Sequence, residues 1–126
     1  MEIHYLGLDH VQVAAPAGCE EAARQFYHHL LGMPEVPKPE NLQKRGGGWF
    51  RCGAQTIHIG VEIPFVPARK AHPAFLVRRL DLLQSRLQQA GIAVQLDEAI
   101  PGVKRFFTTD PFGNRLEFME VYRDDD

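Results

Sequence analysis

The chain has 126 residues, of which 44% are hydrophobic and 24% are charged, and its formal net charge at pH 7 is −2. This length predicts one domain with a sizeable core and is too short for two independent cores. The mixed, slightly acidic charge excludes a nucleic-acid-binding footprint, and no apolar run approaches the roughly 20 residues of a membrane span. Two cysteines, Cys19 and Cys52, are too few for a disulfide framework, so we predict free thiols and a cytoplasmic protein.

The first half of the chain reads as a strand, a helix and three strands. We predict a strand over residues 6–13 and then a helix over 19–31, whose apolar positions recur at intervals of three and four. The proline-rich stretch 33–48 predicts one weak edge strand and a mobile loop, because proline cannot donate to a strand ladder. Two further strands are predicted over 49–52 and 55–62.

The second half repeats this order after a linker at 64–70. A predicted helix starts near Asp81, a suitable N-cap residue, and ends at Gly91. The predicted strands of this half cover residues 72–77, 92–96, 104–109 and 115–121. The whole chain, 1–126, is therefore predicted to be a single domain of two modules, the first at about 1–63 and the second at about 71–123.

The closing stretch places one carboxylate inside an apolar strand. Side chains alternate along a strand, so Glu117 points away from the layer formed by Leu116 and Phe118. Burying a lone carboxylate is costly unless it is paired, protonated or bound to a metal, whereas a glutamate on an edge strand can simply face water. Glu117 is therefore either a solvent-exposed residue or part of a site.

Three histidines favour the site. His10, His58 and His72 each lie in a short apolar or β-branched run that reads as a strand, and each on its own is typical of a structural or surface position. Together with Glu117 they are the ligand types of a divalent transition-metal site. His10 and His72 are 62 residues apart, and His58 and Glu117 are 59 apart, which indicates a duplicated module. Two such modules could pack their helices outside and turn these four side chains into a shared cleft.

Three further residues are candidates for binding a substrate. Gln12 lies on the same strand face as His10 and could orient a ligand or substrate. Trp49 and Arg51 share a strand face, which predicts an aromatic wall and a cation for a planar or anionic substrate. Plain packing or solvent exposure is the alternative for each of them.

Three motifs carry a resemblance to a known family. The stretches LDHVQV, FYHHLLGM and DPFGNRLEFMEV resemble the vicinal oxygen chelate superfamily, which includes glyoxalase I, extradiol dioxygenases, fosfomycin-resistance proteins, bleomycin-binding proteins and methylmalonyl-CoA epimerase. The resemblance covers nearly the whole chain. It implies an α+β fold of paired βαβββ modules that form a cupped mixed sheet with helices outside. It also implies His10, His72 and Glu117 as metal ligands, with His58 at a fourth position that glyoxalase-type members fill with Glu or Gln.

The same resemblance implies a metal-dependent enzyme that acts on a small oxygenated substrate. The metal would be Fe, Mn, Ni or Zn, the reaction a lyase, isomerase or extradiol-type dioxygenase step, and Glu117 the catalytic base. By analogy with the family, Phe106 lines the cleft. A homodimer is expected, with the metal site either within one chain or shared between two. The alternative is a non-catalytic protein of the bleomycin-resistance type, which binds or sequesters a small molecule.

Overall fold

The computed structural model describes residues 2–122. The chain divides into two compact units at the bond between Phe65 and Val66, and each unit contains one four-stranded mixed sheet together with its helix. This combination of helices and mixed sheets confirms the predicted α+β fold class. The expected end of the second module, at residue 123, lies outside the described residues.

Unit 1 has its strands in the order β1-β4-β3-β2, with β1 parallel to β4 and the other neighbours antiparallel. Helix α1 begins as an α-helix and continues as a π-helix. It follows β1 and precedes β2 in the sequence. The elements are β1 His10–Ala15, α1 Glu20–Ala23 and Arg24–Leu30, β2 Glu35–Val36, a 3₁₀ helix Glu40–Arg45, β3 Gly48–Cys52 and β4 Gln55–Val61.

Alternation along the strands builds the core of unit 1. Ile57 and Ile59 of β4 are buried on one face of the sheet, and Phe50 of β3 is buried beside them. Helix α1 covers this face, since the ring of Tyr27 stacks on that of Phe50 with centroids 5.7 Å apart. Residues His58 and Trp49 consequently lie on the opposite face of the same strands.

Unit 2 repeats this arrangement with the order β5-β8-β7-β6, in which β5 is parallel to β8. Its apolar face is built by Phe106 and Phe118, whose ring centroids are 5.5 Å apart, and helix α2 contributes the buried Leu83 and Leu87. The elements are β5 Ala74–Leu76, α2 Leu80–Gln89, β6 Gln95–Asp97, β7 Val103–Thr109 and β8 Arg115–Val121.

The turn between β7 and β8 is held by two buried polar side chains. Asp110 Oδ1 accepts the backbone N–H groups of Phe112 and Asn114 at 2.9 and 3.0 Å, and Asp110 Oδ2 accepts the Asn114 amide at 2.9 Å. Asn114 Oδ1 in turn accepts the N–H of Ala68 at 2.9 Å. The DPFGN stretch therefore fixes where β8 begins and which of its side chains share a face with Glu117.

Several predicted boundaries are wrong, among them the strand expected over 92–96, which the structure places at Gln95–Asp97. Strand β1 starts at His10 rather than at residue 6, because its pairing with β4 begins at His10 opposite Thr56 and the preceding residues have no strand beside them. His72 precedes β5 by two residues instead of lying within it. Helix α2 starts at Leu80, one residue before the expected cap.

The early start of α2 has a tertiary cause. Arg79, directly before the helix, adopts a left-handed conformation with φ 62°, and the Glu120 carboxylate accepts the N–H groups of Arg79 and Leu80 at 3.3 and 3.1 Å. A carboxylate from β8 thus satisfies the free N–H groups that a local cap would otherwise serve. In residues 2–122, no helix is both long and apolar enough to cross a bilayer.

Candidate metal and substrate site

In unit 1, three rings stack across three neighbouring strands. The His58 imidazole lies between the ring of His10, with centroids 3.9 Å apart, and that of Trp49, with centroids 4.0 Å apart. The interplanar angles are 12° and 6°, so the rings are nearly parallel. Strand register explains the contact with Trp49, which lies directly opposite His58 on β3. The stack places both histidines on the sheet face that points away from helix α1.

The surroundings of His58 also lower the pKa of its imidazole. Its side chain is buried, and burial followed by the nearby His10 lowers the pKa of the His58 imidazole. Thr56 Oγ1 lies 3.2 Å from His58 Nε2. The lowered pKa favours the neutral imidazole, which is the form that binds a metal.

A cavity of about 560 Å³ within unit 1 shares one residue, Trp49, with this stack. Its volume falls in the range of small-molecule sites. Trp49 both lines the cavity and stacks on His58, so this residue links the two features. The polar and loop residues of its wall include Glu20, Lys38, Gly46 and Gly47.

In unit 2, His72 meets Glu117. His72 Nε2 lies 2.9 Å from Glu117 Oε1, and His72 Nδ1 lies 2.9 Å from the carbonyl oxygen of Lys70. A carbonyl oxygen can only accept, so Nδ1 carries a proton and donates it. The Glu117 side chain is buried, which answers the question left open by the sequence: this carboxylate is partnered and does not face water.

Arg105 holds the other oxygen of Glu117. Its Nη1 donates to Glu117 Oε2 at 3.2 Å, while its Nη2 donates to Asp97 Oδ1, also at 3.2 Å. The pKa of the Asp97 carboxyl is lowered, chiefly by the N–H of Ala99 and further by Arg105. One guanidinium thus bridges two carboxylates and fixes the orientation of the buried one.

An aromatic ring with two cations completes this face of unit 2. Phe107 lies opposite Glu117 in the strand register and meets the His72 ring edge-on, with centroids 5.5 Å apart. The guanidinium carbon of Arg115 lies 4.2 Å from the centroid of the Phe107 ring, and that of Arg105 lies 5.3 Å from it. Both distances are within the range of a cation–π interaction.

The structure places the predicted site residues as follows. It brings His10 together with His58 and Trp49, and it brings His72 together with Glu117. Gln12 is exposed on β1, where its side chain lies over Gly60. Arg51 is exposed on β3. Phe106 is fully buried against Phe118 and has no exposed surface with which to contact a substrate.

Sequence reasoning missed the roles of three residues on the Glu117 face. Phe107 takes the place expected for Phe106, because register pairs Phe106 with Phe118 in the core and Phe107 with Glu117. Arg105 and Arg115 also lie on this face. Alternation along β7 was the available signal, since Arg105 and Phe107 are two residues apart and therefore share a face.

The donor atoms suit a divalent transition metal, although no complete set is assembled. Among residues 2–122, no group of three or more His, Cys, Asp or Glu side chains is placed to hold a metal ion. The separation of 2.9 Å between His72 Nε2 and Glu117 Oε1 is a hydrogen-bond distance, and it is also close to the roughly 3 Å between adjacent ligand atoms of an octahedral metal. Imidazole and carboxylate ligands together fit Fe, Mn, Ni or Zn.

Comparison with known proteins identifies the family. The sequence profile of the Glyoxalase/Bleomycin resistance protein/Dioxygenase superfamily matches residues 7–118, and the chain belongs to this superfamily. No protein with a curated description matches the chain.

Solved structures of similar proteins agree. A protein from Bacillus anthracis assigned to the glyoxalase family is 59% identical, with a TM-score of 0.93 over 96% of this chain and 99% of that one. A lactoylglutathione lyase from Agrobacterium tumefaciens is 20% identical, with a TM-score of 0.72 over 92% of this chain and 94% of that one. A glyoxalase/dioxygenase from Nostoc punctiforme is 17% identical, with a TM-score of 0.76 over 94% and 92%. The last two show a shared fold alone.

Proposed function

We propose that the protein is a metal-dependent enzyme that acts on a small oxygenated substrate able to chelate the metal. His10, His58, His72 and Glu117 would hold the metal, which would be Fe, Mn, Ni or Zn. Membership of the superfamily supports the class of reaction, a lyase, isomerase or extradiol-type dioxygenase step. The repeat-related positions of the four side chains support the choice of ligands.

One observation carries the proposal, the contact between His72 and Glu117. Because His72 Nδ1 donates to the Lys70 carbonyl, the neutral ring would turn a lone pair on Nε2 toward Glu117 Oε1, only 2.9 Å away. Two acceptor atoms at this distance repel each other unless a cation lies beside both. That cation is either a proton or a metal ion. A histidine whose second nitrogen donates to a backbone carbonyl is the usual arrangement of a metal ligand.

The residues of the chain then have distinct roles. A bound divalent metal would supply Lewis-acid polarisation of a substrate oxygen. Glu117 would accept a proton from the substrate carbon beside that oxygen, while His72 Nε2 would remain a ligand to the metal. Arg105 would keep Glu117 Oε2 fixed during the transfer. Trp49 lies opposite the proposed ligand His58 in unit 1, and Phe107 lies opposite the proposed ligand Glu117 in unit 2.

Elemental analysis tests the metal. Protein purified without a chelator or an affinity tag is expected to contain about one equivalent of Fe, Mn, Ni or Zn, and His72→Ala and Glu117→Gln are expected to lose most of it. His29→Ala is the matched control, because His29 is an exposed histidine on helix α1. Metal content that is unchanged in both site variants would show that these residues are not ligands.

Activity assays separate the possible reactions. Oxygen uptake with a catechol would identify a dioxygenase, whereas exchange of a proton beside a substrate carbonyl without oxygen uptake would identify a lyase or isomerase. The second candidate function is a non-catalytic small-molecule binder, and the cavity of about 560 Å³ beside Trp49 favours it. Wild-type protein that binds a small molecule stoichiometrically, while holding no metal after reconstitution, would establish the binder.

The enzyme is further proposed to act as a homodimer. Four large apolar side chains ahead of β1 are 71–99% exposed: Ile3, Tyr5, Leu6 and Leu8. An apolar segment of this kind is typical of an interaction surface. Sedimentation of the same preparations used for elemental analysis is expected to give the mass of two chains.

A further inference from the structure

We propose that Arg115, seated on the ring of Phe107, binds an oxyanion group of the substrate, a carboxylate or a phosphate. The inference rests on the proposed function only in taking the substrate to lie beside Glu117. Beyond the proposed function, the inference states that the substrate is an anion and that Arg115 selects for its charge.

The first step is the position of Arg115. It lies two residues before Glu117 on β8, so strand alternation puts both side chains on one face. Phe107 lies opposite Glu117 on β7, and the Arg115 guanidinium rests 4.2 Å from the centroid of its ring. The ring therefore carries the cation next to the carboxylate that the proposed function uses.

The two arginines on this face differ in how closely they pair with its carboxylates. Glu117 Oε2 and Asp97 Oδ1 are both taken up by Arg105, and Asp97 Oδ1 also accepts the N–H of Ala99. Arg115 forms none of the ion pairs found among residues 2–122, and its charge reaches Asp97 only at longer range, where it contributes to the lowered pKa of that carboxyl. Arg105 and Arg115 thus share this face, and Arg105 is the one that hydrogen-bonds both carboxylates.

The Arg115 guanidinium has the chemistry of an oxyanion-binding group. Its planar set of N–H groups matches the two oxygens of a carboxylate or phosphate, and contact with an aromatic face reduces the freedom that the side chain loses on binding. Arg115 is also half-buried, which strengthens its attraction to an anion relative to a fully exposed arginine such as Arg78. The preferred ligand is therefore a small anion whose oxyanion contacts Arg115.

The experiment measures anion binding and metal content on the same preparations. Inorganic phosphate and acetate are titrated separately at constant ionic strength, and binding is followed by calorimetry and by the Nε–Hε signal of Arg115 in nuclear magnetic resonance. Wild-type protein is expected to bind at least one of the two anions and to shift this signal, and the stronger of the two identifies the oxyanion class. Arg115→Gln is expected to weaken binding about tenfold or more, and Arg115→Lys to weaken it less. Arg78→Gln is the control and is expected to bind as the wild type does.

Each outcome decides something. Equal binding by wild type and Arg115→Gln overturns the inference, as does binding that depends on Arg51→Gln instead, which would place the anion beside Trp49. If wild-type protein holds metal but shifts no Arg115 signal, the inference fails while the proposed function stands. If it holds no metal yet loses anion binding in Arg115→Gln, the proposed function fails while the inference stands. A circular dichroism melt confirms that each variant is folded.

Discussion

Units 1 and 2 have the same strand order and use corresponding positions for opposite purposes. His58 lies opposite Trp49 in unit 1, and Glu117 lies opposite Phe107 in unit 2. In unit 1 the ligand candidate is a histidine stacked between two rings, and its burial lowers the pKa of the imidazole. In unit 2 it is a buried carboxylate balanced by Arg105. A repeated fold therefore fixes where a side chain points, while its strand neighbours fix what it contacts.

The difference extends to the residue two positions earlier on the same strand. In unit 1 this residue is Thr56, whose hydroxyl contacts His58. In unit 2 it is Arg115, which turns to Phe107 and carries a charge. Unit 1 therefore presents stacked aromatic and imidazole rings beside the exposed Arg51, whereas unit 2 presents a buried carboxylate held by an arginine.

The largest effect is expected from backbone crowding, which only unit 1 shows. Gly47 lies directly before β3 with φ 78°, and a Cβ there would lie 1.9 Å from the carbonyl oxygen of Ile59. Gly102 lies directly before β7 with φ 76°, but its nearest atom would be 4.0 Å away, on Tyr122. We expect Gly47→Ala to cost about 3–5 kcal/mol in unfolding free energy and Gly102→Ala about 1–2 kcal/mol. Urea denaturation measures both, and equal costs would show that crowding is not the cause.

A smaller effect is expected from removing the counter-charge of unit 2. Arg105→Met leaves Glu117 without the donor that orients it, and metal affinity is expected to fall roughly 10–100-fold. Asp97 already neutralises much of the Arg105 charge, so losing the orientation outweighs the gain from removing a cation near the metal. Lys104→Met, on the adjacent exposed residue of β7, is the control. Competition with a chelating dye measures the metal affinity of both variants. Unchanged affinity in Arg105→Met would show that Arg105 does not orient Glu117 for metal binding.

The smallest effect is expected from the pH-dependent hydrogen bond between Glu20 and Gly47 in unit 1. Glu20 Oε2 accepts the N–H of Gly47 at 2.8 Å, and this bond lowers the pKa of Glu20 below its usual 4.5. A lowered carboxyl pKa stabilises the fold above pH 4.5, and that contribution is lost as pH falls through the folded-state pKa. Glu20→Gln is therefore expected to cost no more than about 1 kcal/mol at pH 7, with the gap to wild type closing below pH 4.5.

The control for this titration is Glu62→Gln, an exposed glutamate. Its stability is expected to follow the wild type at every pH. A gap between wild type and Glu20→Gln that stays constant from pH 7 to pH 3 would show that the bond to Gly47 does not depend on the carboxylate charge.

Part of the fold and site followed from the sequence, because strand alternation and turn chemistry are local. Alternation put Glu117 opposite Leu116 and Phe118, and the structure buries both apolar residues in the core. The DPFGN stretch predicted the turn before β8, since Asp, Asn and Gly form such turns from their own side chains and backbone. The spacing of the histidines likewise predicted a repeat, and both units have the same strand order.

Tertiary structure decided the rest, because it depends on which strand lies beside which. Phe106 and Phe107 are adjacent in sequence, and only the register of β7 with β8 sends one to the core and the other to Glu117. The bond from Arg105 to Glu117 joins residues on different strands, so no local pattern announces it. Leu6 and Leu8 read as a strand, yet no neighbouring strand reaches them and they stay exposed. Sequence determined the direction of each side chain along its strand, and pairing between strands determined its partner.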